Sequence, residues 1–146
     1  MQLFSELKKI FLEQQSGFDP ITPQLATTVL LIEIMRVDGE LKEQEKNYLY
    51  IFLEKEYMLS KQEVKELIQL ADSHLEQSTD YYQFTHALNQ QLAISDKSKL
   101  VASLWEMANA DDYVDVHEEH VIRKLADLLH LRHSEFIQAK NNALKR

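Results

Sequence analysis

The chain has 146 residues, no cysteine and a formal net charge of -8, and its length suffices for one domain with a real hydrophobic core. The absence of cysteine excludes disulfides, thiolate zinc sites and cysteine nucleophiles, and it fits a cytoplasmic location. The acidic balance argues against a nucleic-acid partner, and no stretch approaches about 18 uncharged apolar residues, so no transmembrane segment is expected.

Two glycines and two prolines punctuate the sequence, and apolar residues recur elsewhere at the three- and four-residue spacing of α-helices. This pattern predicts an all-α fold, a compact bundle of seven to eight helices. An N-terminal helix is predicted within residues 1–19. Further helices are predicted at Thr22–Arg36, Lys42–Tyr57, Ser60–Gln77, Asp80–Ile94, Asp96–Ala110, Asp115–His130 and His133–Lys145. Ser60 with Glu63 has the form of a capping box, and Asp80 and Asp96 are predicted to cap two other helices.

An internal duplication organises these helices. Residues 30–49 align with residues 103–122 at a constant offset, and after a one-residue slip Glu63 matches Glu135. Each copy therefore predicts a helix, an acidic loop, a second helix, a short turn and a third helix. The chain is predicted to be one domain made of an N-terminal helix (1–19), a first repeat (22–69), a connecting helix (70–94) and a second repeat (96–144).

Each copy carries three acidic residues at matching positions. They are Glu33, Asp38 and Glu45 in the first copy and Glu106, Asp111 and Glu118 in the second. Glu33 and Glu106 stand in helices that are otherwise apolar nearly all round, so both helices are predicted to be buried. A carboxylate on a buried helix is costly unless it is protonated, hydrogen-bonded or paired with a cation.

Three carboxylates per copy can converge at one helix–loop–helix corner, and carboxylate oxygens are the ligands that hard cations such as Ca²⁺, Mg²⁺ or Mn²⁺ prefer. The six acidic residues are therefore candidate metal ligands. The second copy is the better candidate, because it has six acidic residues from Glu106 to Glu119 and no Lys or Arg among them. The first copy contains Arg36 and Lys42, which could pair with its acids instead.

A purely structural explanation of the acidic residues stays open beside the metal hypothesis. The loop aspartates can end one helix and begin a turn, and the first-turn glutamates can close the next helix by reaching back to its cap. Gly39 can supply a positive φ in the first loop. This explanation leaves Glu33 and Glu106 unaccounted for.

Motifs of established metal sites and enzymes do not match. An EF-hand needs oxygen ligands where the first copy has Ile34 and Arg36. The zinc-protease motif needs two histidines four apart, whereas His117 and His120 are three apart. No Gly-rich phosphate loop and no G-x-S-x-G elbow is present. The chain is therefore expected not to be an enzyme.

Three segments carry a resemblance to a known family: VDGEL at residues 37–41, LWEMANAD at residues 104–111 and DVHEEHVIRKLADLL at residues 115–129. They resemble the tellurite-resistance protein B family, TerB, and in particular its short, stand-alone bacterial relatives. The resemblance covers roughly residues 25–144. Asp112 stands where the family usually has glycine, so the second loop needs this aspartate to adopt a left-handed conformation.

The resemblance implies an all-helical fold, divalent-cation binding at the six acidic residues, and a role in tellurite resistance or a membrane-associated stress response. The leading hypothesis is a non-enzymatic module that binds a divalent cation and presents an acidic surface to a protein partner. The alternative is a structural interaction module whose acids are caps and ion pairs and whose working surface is an exposed apolar groove. Peripheral association with a membrane complex and homo-oligomer formation are compatible with either.

Overall fold

The computed structural model describes residues 21–37, 39, 42–77 and 81–145. This part of the chain contains seven helices and no strand, which confirms the all-α prediction. The helices are α1 (Pro23–Arg36), α2 (Glu43–Tyr57), α3 (Lys61–Gln77), α4 (Tyr82–Gln91), α5 (Ile94–Ala108), α6 (Val116–Leu128) and α7 (His133–Leu144). The N-terminal helix predicted within residues 1–19 lies outside the described residues, as do Asp38 and Asp80.

Helix α1 forms the centre of the bundle and contacts α2, α3, α4, α5 and α6. Its side chains from Leu25 to Met35 are all buried except that of Glu33, which is half-buried. Each fully buried leucine or isoleucine contributes roughly 1.5–3 kcal/mol of transfer free energy. Helix α5 is similarly buried and packs against α7, α6 and α1. The prediction that these two helices are buried is confirmed.

The helices of the two copies correspond in order: α1, α2 and α3 match α5, α6 and α7, with α4 between them. The backbone at the helix ends matches as well. Gly39 (φ 77°) and Asp112 (φ 66°) occupy equivalent left-handed positions in the two loops, so Asp112 adopts the conformation that its place in the motif requires. Met58 (φ 55°) and His130 (φ 64°) do the same after α2 and α6.

The turns after α2 and α6 close with the same hydrogen bond. The amide of Leu59 donates to the carbonyl of Glu54 at 3.1 Å, and the amide of Leu131 donates to the carbonyl of Ala126 at 3.1 Å. This bond, together with a left-handed residue, defines a Schellman motif. The duplication therefore extends to the backbone geometry.

The helix starts agree with the sequence except at α4 and α5. Tyr81, not Asp80 as predicted, occupies the N-cap position of α4. Ser60 and Glu63 form the predicted capping box, with the amide of Ser60 donating to Glu63 Oε1 at 2.8 Å. The prediction that Asp96 caps a helix is wrong, because α5 begins at Ile94 and Ala93 occupies its N-cap position. Asp96 lies in the first turn, where its charge still favours the helix dipole.

Replacing Met58 with glycine is expected to raise the free energy of unfolding by about 1 kcal/mol, because glycine adopts a left-handed conformation without the steric cost of a side chain. Met58 is 87% exposed, so little packing is lost. Urea unfolding of Met58→Gly beside Met58→Ala measures the effect, since alanine keeps the strain and should stay near wild type. An unchanged midpoint for Met58→Gly would show that the strain is negligible.

Candidate functional site

Acidic residues from both copies meet around one lysine, and we call this group the acidic centre (Lys42, Glu45, Asp111 and Glu118). Lys42 Nζ lies 3.9 Å from Glu45 Oε2, 3.8 Å from Asp111 Oδ2 and 4.0 Å from Glu118 Oε1. The ammonium group is thus nearly equidistant from three carboxylates. Among the described residues, both copies contribute to one shared centre.

Two helix N-termini position the buried carboxylates of this centre. Glu45 is the third residue of α2, and Glu118 is the third residue of α6. Both side chains are fully buried, at 0% exposure. A carboxylate in the first turn is favoured by the helix dipole and by the amide groups at the helix start. Glu118 Oε1 accepts from the amide of Asp115 at 3.1 Å and so completes the capping box of α6.

The N-cap residues of α2 and α6 differ in what their side chains do. Asp115 caps α6 by accepting from the amide of His117 at 2.7 Å. Lys42 holds the equivalent position on α2, and its side chain makes no cap hydrogen bond. Lysine has no acceptor with which to cap a helix. The Lys42 side chain, which is 16% exposed, reaches instead into the acidic centre.

Glu33 and Glu106, which helix capping does not explain, are each hydrogen-bonded to a tyrosine from another part of the chain. The hydroxyl of Tyr81 donates to Glu33 Oε2 at 2.9 Å, and the hydroxyl of Tyr48 donates to Glu106 Oε1 at 2.6 Å. Both glutamates are half-buried on otherwise buried helices. Their carboxylates therefore lie at the edge of the core, where an O–H donor satisfies them.

The tyrosine hydroxyls are held in the protonated form by these surroundings. Burial, followed by the hydrogen bond to Glu33, raises the pKa of Tyr81 to about 12. Burial and the hydrogen bond to Glu106 raise the pKa of Tyr48 even further. A phenolate beside a carboxylate would place two negative charges in contact, so both tyrosines act as donors at neutral pH.

The described residues do not fit a divalent cation as they are arranged. Calcium needs oxygen ligands at about 2.3–2.6 Å, whereas the carboxylates of the acidic centre surround an ammonium group at 3.8–4.0 Å. Within the described ranges, no group of three His, Cys, Asp or Glu side chains is placed to hold a metal ion. Of the six predicted ligands, three face Lys42, two accept from tyrosines, and Asp38 lies outside the described residues.

A comparison with protein-family models matches residues 24–141 to the family described as tellurite resistance protein TerB. The chain belongs to the TerB family. The resemblance noted in its acidic motifs is thereby confirmed over most of the sequence. No curated protein and no solved structure gives a significant match to this TerB chain. None of its described helices is long and apolar enough to cross a membrane.

The sequence predicted the acidic residues of the TerB site but not most of the side chains that they contact. The predicted ion pair within the first copy forms between Lys42 and Glu45. No local sequence pattern predicts the contacts of Lys42 with the second copy. Arg36 pairs with Asp72 on α3 at 3.5 Å rather than with the acidic motif. Neither tyrosine donor was predicted, because each lies far along the chain from its glutamate.

The hydrogen bond between Tyr48 and Glu106 is expected to contribute about 1–2 kcal/mol to stability, because its acceptor is charged and half-buried. Urea unfolding of Tyr48→Phe, Glu106→Leu and the double variant gives the coupling energy between the two side chains. We expect a coupling of about 1–2 kcal/mol. A value near zero would mean that the two side chains stabilise the fold independently.

The ionisation of Tyr81 is expected near pH 12 rather than at its ordinary value of 10. Because the folded pKa is raised, the stabilisation from Tyr81 is complete below pH 10 and is lost as the pH rises towards 12. The difference between the phenolate absorbance titrations of wild type and Tyr81→Phe isolates this group. A difference curve centred at pH 10 would contradict both the burial of Tyr81 and its hydrogen bond to Glu33.

Proposed function

We propose that this chain is a non-enzymatic TerB-family interaction module that acts in tellurite resistance or a related stress response through a protein partner. The observation that carries the proposal is a groove that occurs twice, once in each repeat. It lies between the second and third helices of the repeat, on the outside of the bundle. The described acids of the motifs meanwhile take part in ion pairs, caps and hydrogen bonds that support the fold.

The first groove lies between α2 and α3 and has a volume of about 340 Å³. Its lining comprises Lys46, Asn47, Tyr50, Ile51, Glu54, Lys61 and Lys65. The second groove lies between α6 and α7 and has a volume of about 420 Å³. Its lining comprises His120, Arg123, Lys124, Ala126, Asp127, Leu131, His133 and Phe136.

The two grooves occupy equivalent places under the internal duplication. The offset that aligns the acidic motifs also places Tyr50 on Arg123 and Glu54 on Asp127. Both grooves therefore carry one acidic residue at the same position among several cationic residues. Two open clefts at matching positions favour a surface that recognises another molecule over an accident of packing.

The chemistry of the grooves favours an acidic segment of a partner protein. The chain as a whole has a charge of -8, yet Arg123 and Lys124 rim the second groove and lysines rim the first. The second groove is the better built, since the Arg123 guanidinium lies 4.9 Å above the centre of the Phe136 ring. Such a contact orients the cation over an apolar floor. This surface differs from the acidic one that the net charge suggested.

The environment of Glu33 and Glu106 supports a non-enzymatic role. A catalytic carboxylate needs access to a substrate, and neither glutamate lines the two grooves. Each accepts a hydrogen bond from a tyrosine whose pKa is raised. These hydrogen bonds satisfy the two carboxylates within the fold, which supports a structural role for them.

Divalent-cation binding is the second candidate function, and one feature of the acidic centre favours it. Three carboxylates face one ammonium group there, so a surplus of negative charge remains among the described side chains. Asp111 is 24% exposed and gives the centre a route to solvent. A cation such as Ca²⁺, Mg²⁺ or Mn²⁺ bound at the predicted ligands would require Lys42 to move away.

The partner proposal is tested in a strain that lacks this gene. Wild type should restore growth on tellurite, whereas Arg123→Glu/Lys124→Glu should not. Reversing two charges at the rim of the groove should lower the affinity for an acidic partner about tenfold or more. Lys55→Glu/Lys145→Glu reverses two exposed lysines outside both grooves and should restore growth. Immunoblots and melting curves check that all variants are folded and equally abundant.

The two parts of the proposal fail separately. Unchanged tellurite sensitivity in the deletion strain would contradict the link to tellurite resistance. Full rescue by Arg123→Glu/Lys124→Glu would contradict the second groove as the partner surface.

A further inference from the structure

We infer that Lys42 is the resident cation of the acidic centre, a tethered ammonium group that joins the two copies where the family resemblance places a divalent ion. The inference concerns the centre itself and does not depend on the partner proposed for the grooves. It rests on the position of Lys42 in its helix, on the burial of its carboxylate partners and on the distances between them.

The place of Lys42 in the duplication is the first line of support. The equivalent residue of the second copy, Asp115, caps its helix through its side chain. Lys42 takes the N-cap backbone conformation, with φ -81° and ψ 130°, but its side chain does not cap α2. Lysine is a poor choice for that position on capping grounds. What it supplies there is a positive charge on a stem long enough to reach the acidic centre.

The burial of the carboxylates is the second line of support. Glu45 and Glu118 are fully buried, and ionised carboxylates are rarely buried unless a counter-ion accompanies them. Each comes from a different copy, and Lys42 Nζ lies within 4.0 Å of both. One positive charge therefore serves two buried helix starts at once. Breaking such a buried pair by removing one partner is strongly destabilising.

The distances are the third line of support. These contacts have the length of ion pairs and not of hydrogen bonds, so one ammonium charge can attract several carboxylates at once. The spread of only 3.8–4.0 Å across the three contacts places Nζ near the middle of the group. A divalent ion at this point would meet the like charge of Lys42. Wild-type protein should therefore be indifferent to Ca²⁺, Mg²⁺ and Mn²⁺.

The experiment compares wild type, Lys42→Gln, Lys42→Arg and a matched control, Lys46→Gln, by thermal unfolding in EDTA and in an excess of each of the three cations. Lys46 lies one turn further along α2 and lines the first groove instead of the acidic centre. We expect the melting temperature of wild type to be the same in all conditions. Lys42→Gln should melt about 5–15 °C lower in EDTA, and a saturable rise with at least one cation should recover part of that loss.

Lys42→Arg keeps the charge and should melt closer to wild type than Lys42→Gln does. Three outcomes would overturn the inference: a saturable, cation-dependent rise in wild type, a Lys42→Gln variant as stable as Lys46→Gln, or a Lys42→Gln variant that no cation stabilises. The first of these would favour divalent-cation binding by the wild-type centre.

Asp111→Asn keeps the inference testable if Lys42→Gln does not fold. Asp111 is the most exposed carboxylate of the centre, so its replacement should be tolerated. If Asp111 is paired with Lys42, the variant should melt below wild type. A higher melting temperature would show that the carboxylates mainly repel one another, and it would contradict the assignment of Lys42 as their cation.

Discussion

The contact between one ammonium group and carboxylates from two helix starts is the constraint on which the centre of this molecule depends. Glu45 and Glu118 are fully buried at the N-termini of α2 and α6. Both carboxylates lie near the same point, so two negative charges at the starts of these helices face each other. Lys42 supplies opposite charge between them. The ammonium group thus links the starts of α2 and α6, while both helices pack against α1.

The tyrosine hydrogen bonds extend this arrangement outward from the centre. Tyr48 lies one turn beyond Glu45 on α2 and bonds Glu106 on α5, so α2 is tied to the second repeat through two kinds of polar contact. Tyr81 ties the start of α4 to Glu33 on the central helix α1. Glu33 and Glu106 thus have different tyrosine partners in the two copies, although their positions in the duplicated motif correspond.

The sequence was sufficient to predict the helices and the duplication, because both can be recognised from patterns within short segments. Apolar spacing predicted the buried helices α1 and α5. Asp112, which replaces the usual glycine of the family, adopts the left-handed conformation that aspartate can tolerate. The pattern was insufficient at Glu45 and Glu118, since first-turn glutamates are usually exposed and nothing local shows that these two are buried. The pairing of Tyr48 with Glu106 joins residues far apart in the chain, and only the packed fold brings them together. Metal binding by the six acids stays a prediction.

The division of charge within the acidic centre bears on how the duplicated halves relate to each other. The lysine belongs to the first copy, while Asp111 and Glu118 belong to the second. The first half taken alone would keep its own Lys42–Glu45 pair, whereas the second half would lose the contacts of Asp111 and Glu118 with Lys42. The second copy therefore depends on the first for this charge, and the domain should fold as one cooperative unit despite its internal repetition. The two repeats are similar in fold, but one cannot replace the other.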